Sequence, residues 1–153
     1  MNKKKSIVGL TKKIHGDQFE SMVKFFANRD GFGFKKIPEG CKRLPGGKII
    51  PIKSPFDFII SMSNKILFAD AKSIDSGNFA YSMLDRHQLI SLNDLKSKAS
   101  LCGYVINLCG EVYFFEIDCL LQLQPKSSLL KENGIFLGIF KDFSFKKLDT
   151  QSI

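Results

Sequence analysis

At 153 residues, with 44% apolar residues and fifteen Phe, the chain has the material for one domain with a real core. No apolar run approaches the roughly 18 residues that cross a bilayer, and the basic start, Met1 to Lys5, lacks the apolar region of a secretory signal. A cytoplasmic protein with no membrane partner is therefore expected. The net charge of +8 favours polyanions, nucleic acid above all.

Residues 1–13 carry Lys3, Lys4, Lys5, Lys12 and Lys13 and read as a mobile basic arm ahead of a single domain over residues 14–153. From Gly16 to Arg29, Phe19, Met22, Val23 and Phe26 recur at spacings of three and four, which predicts a helix with one apolar face. Asp17 followed by Glu20 has the form of a capping box at its start. Gly31 and Gly33 then turn the chain into a short strand ending near Ile37.

Residues 38–53 are rich in Gly and Pro and carry Lys42, Arg43, Lys48 and Lys53, a projecting basic loop or weak hairpin suited to phosphate contact. Strands follow at 56–62 and 65–72, then a polar loop, a helix at about 84–99, and strands at 103–108 and 112–116 about a Cys109–Gly110 turn. The tail holds a short helix near 118–124 and an apolar segment at 135–140. This order predicts a mixed α/β domain, a central sheet with helices packed against it. Cys41, Cys102, Cys109 and Cys119 lack the close spacing of a zinc site and read as small apolar residues.

The segment richest in chemistry is the acidic hairpin. If residues 56–62 and 65–72 close symmetrically about Ser63 and Asn64, Asp57 lies directly opposite Asp70. Opposed Cβ atoms stand about 4.5–5.5 Å apart, and two like charges that close need something positive between them. A divalent cation suits hard carboxylate oxygens. Strand alternation puts Lys72 on the same face as Asp70, with Leu67, Ala69 and Ala71 on the other. For phosphodiester hydrolysis, the carboxylates would hold a metal that activates water and polarises phosphate, and the ammonium would stabilise developing charge. The plainer alternative is a solvated Asp57 and an exposed Asp70–Lys72 pair.

Asp57, Asp70, Ala71 and Lys72 together resemble the PD-(D/E)XK nuclease motif, with Asp70 where Glu is commoner and Phe56 between Pro55 and Asp57. Adding Gly16 to Glu20, Asp85 to Gln88, and the paired segments at 104–107 and 112–115, the order resembles the RecU-type Holliday-junction resolvases over roughly residues 14–120. That resemblance implies a restriction-endonuclease-like mixed sheet flanked by helices. It also implies a homodimer that nicks four-way DNA junctions with Mg²⁺ or Mn²⁺ in recombination or repair. Carried across, Asp57 and Asp70 would be metal ligands, Ala71 would offer its backbone carbonyl, and Lys72 would be the catalytic lysine. Glu20 would act through water on the metal or through Lys72, and Gln88 would sit beside the site. Two other readings stay open: another PD-(D/E)XK nuclease of restriction or repair type, and a non-catalytic DNA-binding protein on the same fold. The apolar segment 135–140 and the many Phe are material for a dimer interface.

Overall fold

The structure, a computed structural model, describes residues 2–150, and the side chains of residues 16–150. Helix α1 runs from Asn2 to Arg29, so it begins well before the Gly16 start expected from the apolar spacing. The backbone of the expected basic arm forms its first part, and the arm's side chains lie outside the described residues. Because the helix is already under way at Asp17, the expected capping box is not formed: Asp17 and Glu20 sit on interior turns, and Ser21 Oγ donates to the Asp17 carbonyl at 3.0 Å. An acidic residue three positions before a Glu is a cap only where the chain enters a helix; inside one it is a surface pattern. The predicted apolar face holds, with Phe19, Val23 and Phe26 buried.

The main sheet has seven strands in the order β1-β4-β5-β6-β7-β8-β9. They are β1 (Gly33–Lys36), β4 (Phe58–Ser61), β5 (Ile66–Ile74), β6 (Ser100–Leu108), β7 (Glu111–Glu116), β8 (Ile135–Ile139) and β9 (Asp142–Phe143). A separate two-stranded hairpin is built from β2 (Gly40–Arg43) and β3 (Ile49–Ile52). All neighbours are antiparallel except β5 and β6, which run parallel and are joined through helix α2 (Arg86–Asp94). Such a crossover needs a dozen or more residues, and the α2 connection supplies them. The second helix is shorter than the expected 84–99: Leu95 closes it, and a turn at Ser97–Ser100 feeds β6 earlier than anticipated. Cys109 and Gly110 both take positive φ, 52° and 99°, the conformation a two-residue hairpin turn requires between β6 and β7.

The two faces of the sheet pack against different helices. Phe58, Ile60, Leu67, Ala69, Val105 and Phe114 lie under Phe19, Val23 and Phe26 of α1. Phe56, Tyr104, Ile106 and Phe115 face Leu89 and Leu92 of α2 and Leu120 of α3 (Ile117–Leu121). Strand β6 is buried from end to end, as expected of a strand covered on both sides. Truncating a fully buried ring such as Phe58 to Ala would cost roughly 3–5 kcal/mol.

The tail closes over the α1 side. Strand β8 takes up 135–139 of the expected apolar segment, with Leu137 buried and Phe136 and Ile139 exposed, and β9 and helix α4 (Lys146–Thr150) were not anticipated. They are held by polar contacts invisible to periodicity. Arg29 donates to Asp142 Oδ1 and to the Phe143 carbonyl, and Asp30 Oδ2 accepts from the Phe145 and Ser144 donors. Asp149 Oδ1 accepts from the Asn64 N–H at 2.8 Å, which ties α4 to the β4–β5 turn. No helix among the described residues is long and apolar enough to cross a membrane.

Candidate active site

The β4–β5 hairpin adopts the anticipated register: Phe58 pairs with Ala69 and Ser61 with Ile66, and the Met62 N–H donates to the Lys65 carbonyl around a Ser63–Asn64 turn. Asp57 and Asp70 are each one residue past the last pair, so they face one another where the two strands part. Beyond that point β5 continues to Ile74 with β6 as its ladder partner. Asp57 Oδ2 takes up the Ala71 N–H that β4 no longer serves, at 2.9 Å.

Asp70 is fully buried. Gln88 Nε2, from the first turn of α2, donates to its Oδ1 at 2.7 Å, and Lys72 Nζ stands 2.8 Å from its Oδ2. That Oδ2 nevertheless receives no hydrogen bond of good direction; proximity to the ammonium leaves its lone pairs incompletely used. Burial pushes the Asp70 carboxyl up to about 7; the neighbouring Asp57 adds to the rise and Lys72 opposes it. The Lys72 ammonium also lies 5.4 Å from the centre of the Tyr104 ring. Tyr104, paired with Asp70 across β5 and β6, donates its hydroxyl to Gln88 Oε1 at 2.9 Å and accepts from the Asp85 N–H at 3.3 Å. Burial raises the Tyr104 hydroxyl, so it stays protonated. Asp85 caps α2, its Oδ1 accepting from the His87 and Gln88 N–H groups, while its Oδ2 pairs with Lys53 at the end of the β2–β3 hairpin.

Asp57, Asp70, Lys72 and Gln88 are thus brought together. Glu20 is placed differently. It lines, with Asp57, Lys24, Lys35 and Lys36, a cleft of about 600 Å³ between α1 and β1, and its Oε2 is engaged by Lys36 Nζ at 2.9 Å. Among the described residues no three His, Cys, Asp or Glu side chains cluster in a metal-holding arrangement. The oxygens at hand are the two carboxylates and the backbone of Ala71. A hard divalent cation fits this donor set, because the under-used Asp70 Oδ2 and the mutual repulsion of two close carboxylates are both relieved by positive charge. Lys42, Arg43 and Lys48 are exposed on the β2–β3 hairpin and around its turn, where the Leu44 N–H meets the Lys48 carbonyl; the basic segment is a hairpin. Tyr104 and Lys36 escaped the sequence reading because neither belongs to a local motif. Asp85 had a signal, an Asp three residues before Gln at a helix start.

The raised Asp70 carboxyl has a measurable consequence. A folded-state value above the unfolded one means that folding takes up a proton between pH about 4 and about 7, so stability of the metal-free protein falls as pH rises through that window. Asp70→Asn, which carries no charge to bury, is expected to raise the melting temperature at pH 8 and to leave it little changed at pH 5. Equal melting shifts at both values would show that Asp70 ionises freely.

The chain is thus a mixed α/β domain, a sheet between helices, with two carboxylates and a lysine where two strands separate. The solved structure of Hjc from Archaeoglobus fulgidus, a Holliday junction resolvase from an archaeal hyperthermophile, is similar to this chain with a TM-score of 0.56. The two are 16% identical, and the match covers 79% of this chain and 95% of that one. At this identity the likeness establishes the fold. It is to an archaeal resolvase, and the narrower RecU-type likeness rests on the sequence motif alone. No protein-family model and no curated protein sequence matches the chain.

Proposed function

We propose that this protein is a divalent-metal-dependent DNA endonuclease that acts on branched DNA, four-way junctions foremost. The carrying observation is the opposed pair Asp57 and Asp70 with Lys72 beside Asp70, at the point where β4 and β5 part. The fold likeness to a junction resolvase and the net charge of +8 support the substrate class. The proposal is for a junction resolvase without assignment to the RecU type.

In this reading Asp57, Asp70 and the Ala71 carbonyl would hold Mg²⁺ or Mn²⁺. When bound, the cation supplies Lewis acidity toward a phosphoryl oxygen. Gln88 keeps Asp70 oriented by occupying Oδ1, while Lys72 stands at Oδ2. The Lys72 ammonium, held between Asp70 and the Tyr104 ring, faces the phosphate and stabilises the charge that develops there. Glu20 holds Lys36 against the cleft wall beside Asp57, and the β2–β3 hairpin supplies cations for the DNA backbone. Two nicks of matching geometry call for two sites related by a two-fold axis, so a cytoplasmic homodimer is part of the proposal.

The test is cleavage of four-way, flap and linear DNA with and without Mg²⁺ or Mn²⁺. Junction cutting that stops in excess chelator and returns with added cation is the expected result. Undiminished cutting in chelator would remove the metal, and equal cutting of linear and branched DNA by a monomer would remove the junction assignment. A second measurement separates binding from chemistry: Lys72→Ala should lower single-turnover cleavage by about 10²-fold or more with little loss of junction affinity, since one contact among many contributes little to binding.

A further inference from the structure

We propose that Tyr104 is the positioning residue of this site, fixing which end of the Gln88 amide meets Asp70 and seating the Lys72 ammonium on its ring. The inference rests on the nuclease reading for its effect on cleavage, but its structural half stands on contacts alone. The Asp85 N–H can only donate, and it points at the Tyr104 oxygen at 3.3 Å. The hydroxyl hydrogen is therefore free for Gln88 Oε1, at 2.9 Å. With Oε1 so occupied, the amide nitrogen is the end left for Asp70 Oδ1, at 2.7 Å. A side-chain amide has two nearly isosteric ends, and the reversed orientation would set an amide oxygen against a buried carboxylate. Reversal would also cost the Tyr104 hydroxyl hydrogen its acceptor, so Tyr104 and Asp70 together fix the orientation.

The same residue reaches the other half of the site. Its fully buried ring lies across the sheet from Asp70, with Lys72 Nζ 5.4 Å from its centre. One side chain thus touches Gln88 and Lys72 and, through the Asp85 N–H, the start of α2. Its hydroxyl is directed at Gln88 and Asp85, so it acts through other residues and takes no direct part in the chemistry. Removal of an outer partner that orients a ligand typically lowers metal affinity or activity about 10–100-fold.

Tyr104→Phe keeps the ring and removes the hydroxyl. In the metal-free wild type, the Gln88 side-chain amide protons should appear by NMR as one resolved, slowly exchanging pair; in Tyr104→Phe they should exchange at least about tenfold faster. Junction affinity should stay within about twofold, single-turnover cleavage should fall about 10–100-fold, and Gln88→Leu should cost little more in the Tyr104→Phe background. A rapidly exchanging Gln88 amide in the wild type would overturn the proposal without any variant. So would unchanged exchange in Tyr104→Phe, or losses of affinity and rate in equal measure, which mark a merely structural role. If the wild type cuts no DNA but the Gln88 amide responds as expected, the nuclease reading fails and the positioning role of Tyr104 survives.

Discussion

Asp70→Asn is expected to lower junction cleavage by about 10³-fold while junction affinity stays unchanged or tightens. The size follows from what the carboxylate would hold: a cation worth several kcal/mol to the reacting phosphate, each 1.36 kcal/mol being tenfold in rate. Asn is the informative replacement because it preserves shape. Its amide oxygen still accepts from Gln88 Nε2 and no cavity opens beside the fully buried position, while the charge is lost and the acceptor facing Lys72 becomes an amide donor. Affinity should not suffer, because a negative charge facing a polyanion is removed and Lys72 is released from its 2.8 Å pairing with Asp70. Asp57→Asn should behave alike, though its oxygen must also keep the Ala71 N–H. A folded Asp70→Asn protein that cuts within tenfold of the wild-type rate would place the chemistry elsewhere.

The second large effect belongs to the hairpin. Replacing Lys42, Arg43 and Lys48 together by Ala should weaken junction binding by about 10²-fold at low salt and flatten its salt dependence. Each phosphate contact contributes about 0.9 to the slope of log affinity against log salt, so losing three should reduce the slope by about 3. The three side chains are exposed, on a two-stranded unit outside the main sheet, and their removal should leave the melting temperature unchanged. Lys53 is left out of this set because it pairs with Asp85 and thereby touches the network behind Asp70. Filter-binding or fluorescence titrations at several salt concentrations decide the matter; an unaltered slope would make the hairpin charges bystanders.

The acidic hairpin was legible in the sequence for a physical reason. A two-residue turn fixes the register of its two strands, and alternation fixes their faces, so Ser63 and Asn64 suffice to set Asp57 across from Asp70 with Lys72 beside it. The apolar face of α1, the Cys109–Gly110 turn and the strands on either side of it were legible likewise, since each is written within a few neighbouring residues. The start of α1 was not, because an Asp17–Glu20 pattern looks the same at a helix start and on an interior turn. The end of α2 was missed as well: its residues remain compatible with a helix beyond Asp94, and the turn that stops it answers to β6.

Residue types and spacing thus determined the class of fold, the hairpin register and the Asp, Asp, Lys face by themselves. Tertiary structure alone decided the surroundings of that face. The parallel pairing of β5 with β6 brings Tyr104 beside Asp70 from 34 positions away, and the α2 crossover lowers Gln88 onto the same carboxylate. Packing of α1 against β1 gives Glu20 to Lys36, and the C-terminal contacts of Arg29 and Asp30 build β9 and α4 onto the sheet. None of these partners is local, and burial is what gives them force. Enclosed among helices, Asp70 cannot turn to water, so its protonation and orientation are set by the few groups the fold brings to it.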